Sequence, residues 1–262
     1  MNGGMNMHSP IAVFDSGLGG ISVLRRLLRE MPGEDFLYFG DSANAPYGSK
    51  STEQIRELTL AHSASFFARG AKALVVACNT ATSAAIDILR ETYPHKIIIG
   101  IEPALKPAAD RHAGGTVLVM ATDATLRERK FAALVERYAG HSRIFTCPCP
   151  QLVGYVERGE LEGRDLENHL TDLLSPYLAQ APDAVVLGCT HYPFLKRAIG
   201  RVLGEKPEFF DGADGTAREC KRRLEEAGLL RQDGVGRVTL VNSSEDPLMS
   251  QRAEFLLNLP EL

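Results

Sequence analysis

Two cysteines at the ends of apolar segments are the residues of this chain best suited to chemistry. Cys78 follows the apolar segment 73–77 in VVACNT, and Cys189 follows the segment 184–188 in VVLGCTHYP. Each leads through polar residues into a segment of helical period, and the N-terminus of a helix stabilises a thiolate. One cysteine in such a place is more often inert packing. Two in matching surroundings indicate a functional pair.

A pair of equivalent thiols is typical of proton transfer on both faces of one carbon atom. Covalent catalysis would need one nucleophile with one base, and a redox pair would be expected as CxxC, which the sequence lacks. In two-base racemisation or epimerisation, one thiolate removes a proton while the opposite thiol delivers one. The sequence therefore predicts general acid–base catalysis, with Cys78 and Cys189 exchanging roles in the reverse direction.

Polar residues after other apolar segments are candidates for tuning the thiols and for binding a charged ligand. Asp15 could pair with the first thiol or with a substrate ammonium group, or be only a turn residue. His191 could act likewise beside the second thiol, or only cap and pack. Backbone N–H groups and hydroxyls in DSG, NT and TH suit carboxylates. The turn PYG (46–48) could add backbone donors or the Tyr47 ring, or be a turn alone.

Short apolar segments alternate with longer segments of helical period along the chain. This alternation predicts an α/β fold with mainly parallel sheets covered by helices. Ligands of such sheets bind at the carboxyl ends of the strands, where both cysteines fall. The predicted helices include 20–31, 52–70 and 125–140. The predicted strands are 11–14, 35–40, 73–77, 96–100, 116–120, 143–146, 184–188, 207–210 and 237–241.

An internal repeat relates the two cysteine segments. VVACNT resembles VVLGCTH, and IAVFDSG (11–17) resembles VLVMATD (117–123) at a similar spacing. The repeat predicts two pseudo-symmetric α/β domains, with the active site in the cleft between them and the thiols face to face. The first domain is predicted to comprise residues 1–100 together with 210–262, and the second domain residues 101–209.

Composition and charge exclude several classes of function. The 262-residue chain has a formal net charge of −4 and no predicted basic face, so no nucleic-acid partner is expected. No apolar run approaches the ~20 residues that span a bilayer, so no membrane association is expected. Residues 1–10 lack the features of a secretory signal, which predicts a frayed N-terminal extension and a cytoplasmic protein. GLGG (17–20) has neither the full dinucleotide-binding spacing nor a Walker lysine, so no nucleotide is expected.

The five cysteines are expected to be reduced thiols rather than a disulfide framework. The motif CPC (147–149) has no matching Cys or His pair at zinc-ligand spacing, so no metal site is predicted and the segment is interpreted as a turn. Cys220 lies within a segment of helical period and is interpreted as an ordinary helix residue.

Several segments resemble the glutamate racemases of the cofactor-independent aspartate/glutamate racemase superfamily. In the family's order, they are FDSGLGG, DSANAPYG, ACNTATSAA, IEPALKPAA, CPCPQLVGYVERGE and LGCTHYPFL. The resemblance covers most of the chain. It implies interconversion of L- and D-glutamate without pyridoxal phosphate or metal, supplying D-glutamate for bacterial peptidoglycan. It also implies a homodimer.

The resemblance assigns roles to individual residues. It implies that Cys78 acts on the D-enantiomer and Cys189 on the L-enantiomer, and that Asp15 and His191 tune the thiols. The implied substrate-binding residues are Asp15, Ser16, Tyr47, Gly48, Asn79, Thr80, Thr190 and His191. Further candidates are Asp41 and Glu157 as assisting acids, and Thr122 and Thr125 as substrate contacts. The chain departs from the family at Glu128 and Phe131, where the family often has Ser and Tyr.

Three alternatives stay open at the level of sequence. The nearest is another member of the superfamily that acts on aspartate or a hydantoin. A non-catalytic carboxylate-binding protein would bind its ligand without exchange at the α-carbon. A hydrolase with a cysteine nucleophile would turn over an ester or amide with burst kinetics and need only one of the two thiols.

Overall fold

The chain forms two parallel β-sheets covered by helices in the computed structural model, which describes residues 6–260. Its strands in this range are β1 (Ile11–Asp15), β2 (Phe36–Gly40), β3 (Ala73–Val76), β4 (Ile97–Gly100), β5 (Thr116–Ala121), β6 (Arg143–Pro148), β7 (Ala184–Leu187), β8 (Glu208–Asp211) and β9 (Val238–Asn242). Each predicted strand has its counterpart within one or two residues. The α/β fold class is confirmed.

The helices cover the sheets and follow the apolar periodicity of the sequence. They are α1 (Ile21–Glu30), α2 (Thr52–Ala68), α3 (Asn79–Thr92), α4 (Leu105–Arg111), α5 (Asp123–Arg127), α6 (Arg129–Tyr138), α7 (Leu152–Glu157), α8 (Arg164–Leu178), α9 (Lys196–Leu203), α10 (Ala213–Glu226) and α11 (Leu248–Leu257). None of the helices in the described part of the chain is long and apolar enough to span a membrane.

Two local predictions differ from the structure. The helix predicted at 125–140 is divided into α5 and α6, because Glu128 has an extended backbone conformation (φ −68°, ψ 133°) that interrupts the helical path. The turn predicted in CPC begins later than expected, since Cys147 and Pro148 are the last residues of β6. A proline is tolerated there because β6 is an edge strand.

The expected N-terminal extension lies partly outside the described residues, which begin at position 6. Just before β1, the carbonyl oxygen of Met7 accepts a hydrogen bond from Nζ of Lys72. Lys72 is buried and also pairs with Glu34. The residues directly before β1 are therefore held against the first sheet.

The two sheets share the same strand order over four strands. The first sheet has the order β4-β3-β1-β2-β9, and the second, taken in the same sense, has the order β8-β7-β5-β6. In both sheets the strand that leads to a cysteine lies beside the first strand of its half. Cys78 and Cys189 each lie two residues beyond the end of that strand. The two thiols therefore occupy equivalent positions.

The chain crosses between the sheets twice, after β4 and after β8. The crossings touch: a Cβ atom at Gly212 would meet the carbonyl oxygen of Glu102 and come within 2.6 Å of the side chain of Ile101. The division into domains 1–100 with 210–262 and 101–209 stays a proposal. The strand order supports this division, except that the second boundary lies after Asp211 and not after residue 209. The reason is that β8 belongs to the second sheet.

Candidate active site

Both cysteines line one cavity of about 300 Å³. It is built at the carboxyl ends of strands from both sheets, where parallel α/β proteins bind their ligands. Ten residues named from the sequence line it: Ser16, Tyr47, Gly48, Cys78, Asn79, Thr80, Thr122, Cys189, Thr190 and His191. The cavity is at the small end of ligand sites, a size that suits one amino acid.

Cys78 caps helix α3 with its own sulfur atom. Its Sγ accepts a hydrogen bond from the backbone N–H of Ala81 (3.4 Å) and lies within hydrogen-bond distance of Oγ of Ser16 (3.4 Å). Burial, together with the negative charge of Asp15, raises the pKa of Cys78 to about 12, although both hydrogen bonds act in the opposite direction. The position of Cys78 at the N-terminus of α3 predicted a thiolate. The effect of burial on its pKa is larger than the stabilisation that the helix N-terminus provides. Cys78 is therefore a neutral thiol in this structure.

Cys189 has different surroundings. The segment after it forms a short 3-10 helix, Tyr192–Leu195, before α9 begins at Lys196. The sequence predicted that this thiol would lie at the N-terminus of an α-helix, and that prediction is wrong. Instead, Nδ1 of His191 lies 3.6 Å from Sγ of Cys189.

His191 forms a buried ion pair with Glu157. Nε2 of His191 lies 2.7 Å from Oε1 of Glu157. Burial acts to lower the pKa of His191, but its bonds to Cys189 and Glu157 outweigh burial and raise that pKa well above its usual value. For Glu157, burial acts to raise the pKa, and His191 reverses the effect so that the pKa is lowered. The structure thus favours a positive imidazolium beside Cys189.

Glu157 lies outside the cavity lining, and its carboxylate also binds two groups of the first half of the chain. Its Oε1 accepts a hydrogen bond from the N–H of Leu18 (2.6 Å), and its Oε2 accepts one from Ser42 (3.3 Å). Because Glu157 comes from α7 of the second half, these bonds tie the two halves together behind His191.

Asp15 is fully buried behind the cavity and is not part of its lining. Its Oδ1 accepts from the N–H of Gly17 (3.0 Å), and its Oδ2 accepts from the hydroxyl of Thr190 (3.0 Å). Burial raises its pKa, while the charge of His191 acts to lower it. The structure places Asp15 where it affects Cys78 by charge and Thr190 by a hydrogen bond.

Asp41 is the centre of a hydrogen-bond cluster beneath Tyr47. Its Oδ2 accepts from the Tyr47 hydroxyl (2.7 Å) and contacts Nε2 of His62 (3.1 Å), and its Oδ1 accepts from Ser243 (2.8 Å). Burial acts to raise the pKa of Asp41, but these bonds hold it well below its usual value. Asp41 lies outside the cavity lining and instead fixes the ring of Tyr47, which does line it.

Three threonine hydroxyls meet across the cleft. Oγ1 of Thr80, from the first half, lies 3.3 Å from Oγ1 of Thr122 and 3.5 Å from Oγ1 of Thr125, both from the second half. The latter two are 3.0 Å apart. Thr80 and Thr122 line the cavity, whereas Thr125 supports them from behind.

Comparison with known proteins identifies the group to which these features belong. Residues 11–220 match the Asp/Glu/hydantoin racemase family. The chain belongs to this family. It is 48% identical to the glutamate racemase of Clostridium perfringens over 96% of this chain and 97% of that protein.

Solved structures agree with this assignment. A glutamate racemase from Francisella tularensis, in complex with D-glutamate, has a TM-score of 0.84 and 27% identity, covering 98% of this chain and 96% of that chain. An Escherichia coli glutamate racemase, in complex with L-glutamate and the activator UDP-MurNAc-Ala, has a TM-score of 0.79 and 30% identity, covering 95% of this chain and 92% of that chain. This chain is thus a racemase, an isomerase of that family.

Asn79 gives this member of the racemase family an unused hydrogen-bond acceptor at the cavity. Its side chain lines the cavity, and its buried Oδ1 has no hydrogen-bond partner among residues 6–260. A buried acceptor without a partner is unusual in a folded protein. A ligand that donates hydrogen bonds, such as one with an ammonium group, would satisfy it.

The positions where the chain departs from the racemase pattern lie away from the cavity. Neither Glu128 nor Phe131 is part of its lining. Phe131 is packed in the core of the second half, with Leu105 and Val117. The departure therefore changes the support of α6 rather than the cavity wall.

Six lining residues were not predicted from the sequence: Pro46, Ser49, Asp123, Arg127, Pro150 and Val153. Most of them belong to or adjoin segments that were singled out, since Pro46 is the first residue of the turn PYG and Ser49 follows that turn. Pro150 follows CPC, and Asp123 follows β5. Val153 lies within the segment CPCPQLVGYVERGE, but neither it nor Arg127 was identified as a lining residue, because each belongs to a helix whose orientation depends on the tertiary structure.

Proposed function

We propose that this chain interconverts L- and D-glutamate by a two-base mechanism, with Cys78 and Cys189 as the bases. The observation that carries the proposal is that two thiols, at equivalent positions of two similar halves, line one cavity of about 300 Å³. The glutamate racemase relatives support glutamate over aspartate or a hydantoin as the substrate. Supply of D-glutamate for peptidoglycan and a homodimer are proposed on the resemblance alone, and a cytoplasmic location stays a prediction.

The surroundings of the thiols suggest which one starts each direction. The imidazolium of His191, 3.6 Å from Sγ of Cys189, is the partner that a thiolate needs. Cys78, with its pKa raised to about 12, is the proton donor. For L-glutamate, the thiolate of Cys189 removes the α-proton, and the thiol of Cys78 delivers its proton to the opposite face of the resulting carbanion. Cys78 is then the thiolate and can accept the α-proton of D-glutamate.

The polar lining can hold the charged groups of the amino acid. Oδ1 of Asn79 would accept a hydrogen bond from the substrate ammonium group. The hydroxyls of Ser16, Thr80 and Thr190 can donate to carboxylate oxygens. Such preorganised donors would also stabilise the negative charge that develops when the α-proton leaves.

Incubation with L-glutamate in D₂O, without an added cofactor, tests the proposed function. We expect the optical rotation to fall to zero while the D-glutamate that forms carries deuterium at the α-carbon. Aspartate and a hydantoin, each incubated in parallel, test the related activities. Binding of glutamate by folded protein without exchange would support the non-catalytic alternative, and turnover of an ester with a burst would support the hydrolase. Either result would remove the racemase proposal.

Replacement of Gly19 by alanine is expected to lower the racemisation rate at least about tenfold without unfolding the protein. A Cβ atom at this position would meet Nδ1 of His191 and lie within 2.5 Å of Oγ1 of Thr190. His191 would then move away from Cys189. Circular dichroism and the rate with L-glutamate measure the two effects.

Gly215→Ala is the matched control, because its Cβ atom would meet nothing within 4 Å. We expect this variant to retain the wild-type rate. Full activity in the Gly19→Ala variant would show that the position of His191 is not required.

A further inference from the structure

Arg127 is the one lysine or arginine that lines the cavity in the described part of the chain. It is the last residue of α5, and its side chain is exposed to solvent. Within residues 6–260 it forms no ion pair or side-chain hydrogen bond, whereas Lys130 nearby pairs with Asp87. Its guanidinium is therefore free to contact a molecule that enters the cavity.

The charges around the cavity make the guanidinium of Arg127 the group that can attract an anionic substrate. The chain has a formal net charge of −4, and glutamate is itself an anion with two carboxylates at neutral pH. The positive charge of His191 is balanced by Glu157. Asp123, the first residue of α5, also lines the cavity and would repel an anion. Arg127 is the lining group with an unbalanced positive charge.

Substrate geometry indicates which carboxylate would meet Arg127. For proton transfer on both faces, the α-carbon must lie between the two sulfur atoms, and its ammonium and α-carboxylate must lie close to it in the interior. The distal carboxylate is separated from the α-carbon by two methylene groups, so it is the group that extends farthest from the thiols. A guanidinium can hold such a carboxylate with two parallel hydrogen bonds.

We propose that Arg127 captures the distal carboxylate of the substrate at the rim of the cavity and thereby selects amino acids with an acidic side chain. The inference rests on the proposed function. It assigns Arg127 to substrate binding and not to proton transfer.

Kinetics of Arg127→Gln in both directions test the proposal. We expect KM to rise about tenfold for both enantiomers, the loss expected when a hydrogen bond to a charged group is removed, with kcat changed less than twofold. Wild-type KM should rise between about 0.02 M and 0.5 M salt, because salt screens exposed charges, and the variant should lose most of this dependence. Arg127→Lys should restore part of the affinity. Arg129→Gln removes the same charge from an exposed residue outside the cavity lining and should leave KM unchanged.

Asp123→Asn provides a test of opposite sign, because it removes the competing negative charge. We expect it to lower KM. The proposal is wrong if Arg127→Gln leaves KM and its salt dependence unchanged, if Arg127→Gln reduces kcat at constant KM, or if Asp123→Asn raises KM. Failure of the proposed function is a separate observation, since it would be seen as absence of racemisation by the wild-type protein in D₂O.

Discussion

Replacing either Cys78 or Cys189 by alanine is expected to reduce the rate of glutamate racemisation at least about a thousandfold in both directions. Each thiol is proposed to serve one face of the α-carbon, so loss of either one blocks the complete reaction. The two enantiomers have equal free energy, which keeps the ratio of forward to reverse kcat/KM at one in every variant. The double variant is expected to be no slower than either single variant, because groups that act as a unit are not additive.

Isotope exchange can distinguish proton transfer on one face of the α-carbon from proton transfer on the other. A thiolate that remains alone can remove a proton from its own enantiomer and return deuterium to the same face. We therefore expect slow exchange into L-glutamate only for Cys78→Ala, and into D-glutamate only for Cys189→Ala. Nuclear magnetic resonance of the recovered substrate in D₂O measures this exchange.

Cys220→Ala is the control for both cysteine variants. Cys220 is also buried, and burial raises its pKa to about 12, the same value as for Cys78, but it lies on α10 outside the cavity lining. Its replacement should leave the rate unchanged. Racemisation at the wild-type rate by either single active-site variant would rule out the two-base mechanism.

Glu157→Gln is expected to reduce kcat about a hundredfold. The neutral amide can still accept a hydrogen bond from His191, but it cannot balance the positive imidazolium. The partner of the Cys189 thiolate is thereby lost, while the cavity lining is unchanged.

The pH dependence of this variant has a definite sign. The pKa of His191 is raised in the folded protein, so activity that needs the imidazolium is present below that pKa and is lost as the pH rises through it. Removal of the Glu157 charge lowers the pKa of His191. The alkaline limb of kcat/KM should therefore move to lower pH in Glu157→Gln.

Glu160→Gln serves as the comparison, because Glu160 lies three positions after Glu157 and forms an exposed ion pair with Arg158. Its pH profile should match that of the wild type. An unshifted alkaline limb in Glu157→Gln would mean that the ion pair with His191 does not control the activity of Cys189.

Most of the fold was predictable because each strand is a short apolar segment bounded by polar residues. The meeting of Cys78 and Cys189 at one cavity was predictable from the repeat, since equivalent residues of two similar halves face the same cleft. The break at Glu128 was not, because the apolar period continues through it and only the backbone conformation interrupts the helix.

The roles of the acidic residues could not be predicted in the same way. Asp15, Asp41 and Glu157 were all candidates, yet the structure places all three behind the cavity wall, where they hold other side chains. A sequence motif shows that a carboxylate is present but not which of its neighbours donate hydrogen bonds to it. The pKa of Cys78 was equally hidden, because the burial that raises it depends on the tertiary packing around the thiol.

The shared strand order of the two sheets has a consequence for the origin of this molecule. Four strands in one order, repeated with a thiol at the same place, are what duplication and fusion of a single ancestral gene would leave behind. The ancestral chain would have formed its cleft by pairing with an identical copy and would have offered the same chemistry from both walls. After such a fusion the two copies would be free to diverge, which would account for the serine beside one thiol and the histidine beside the other.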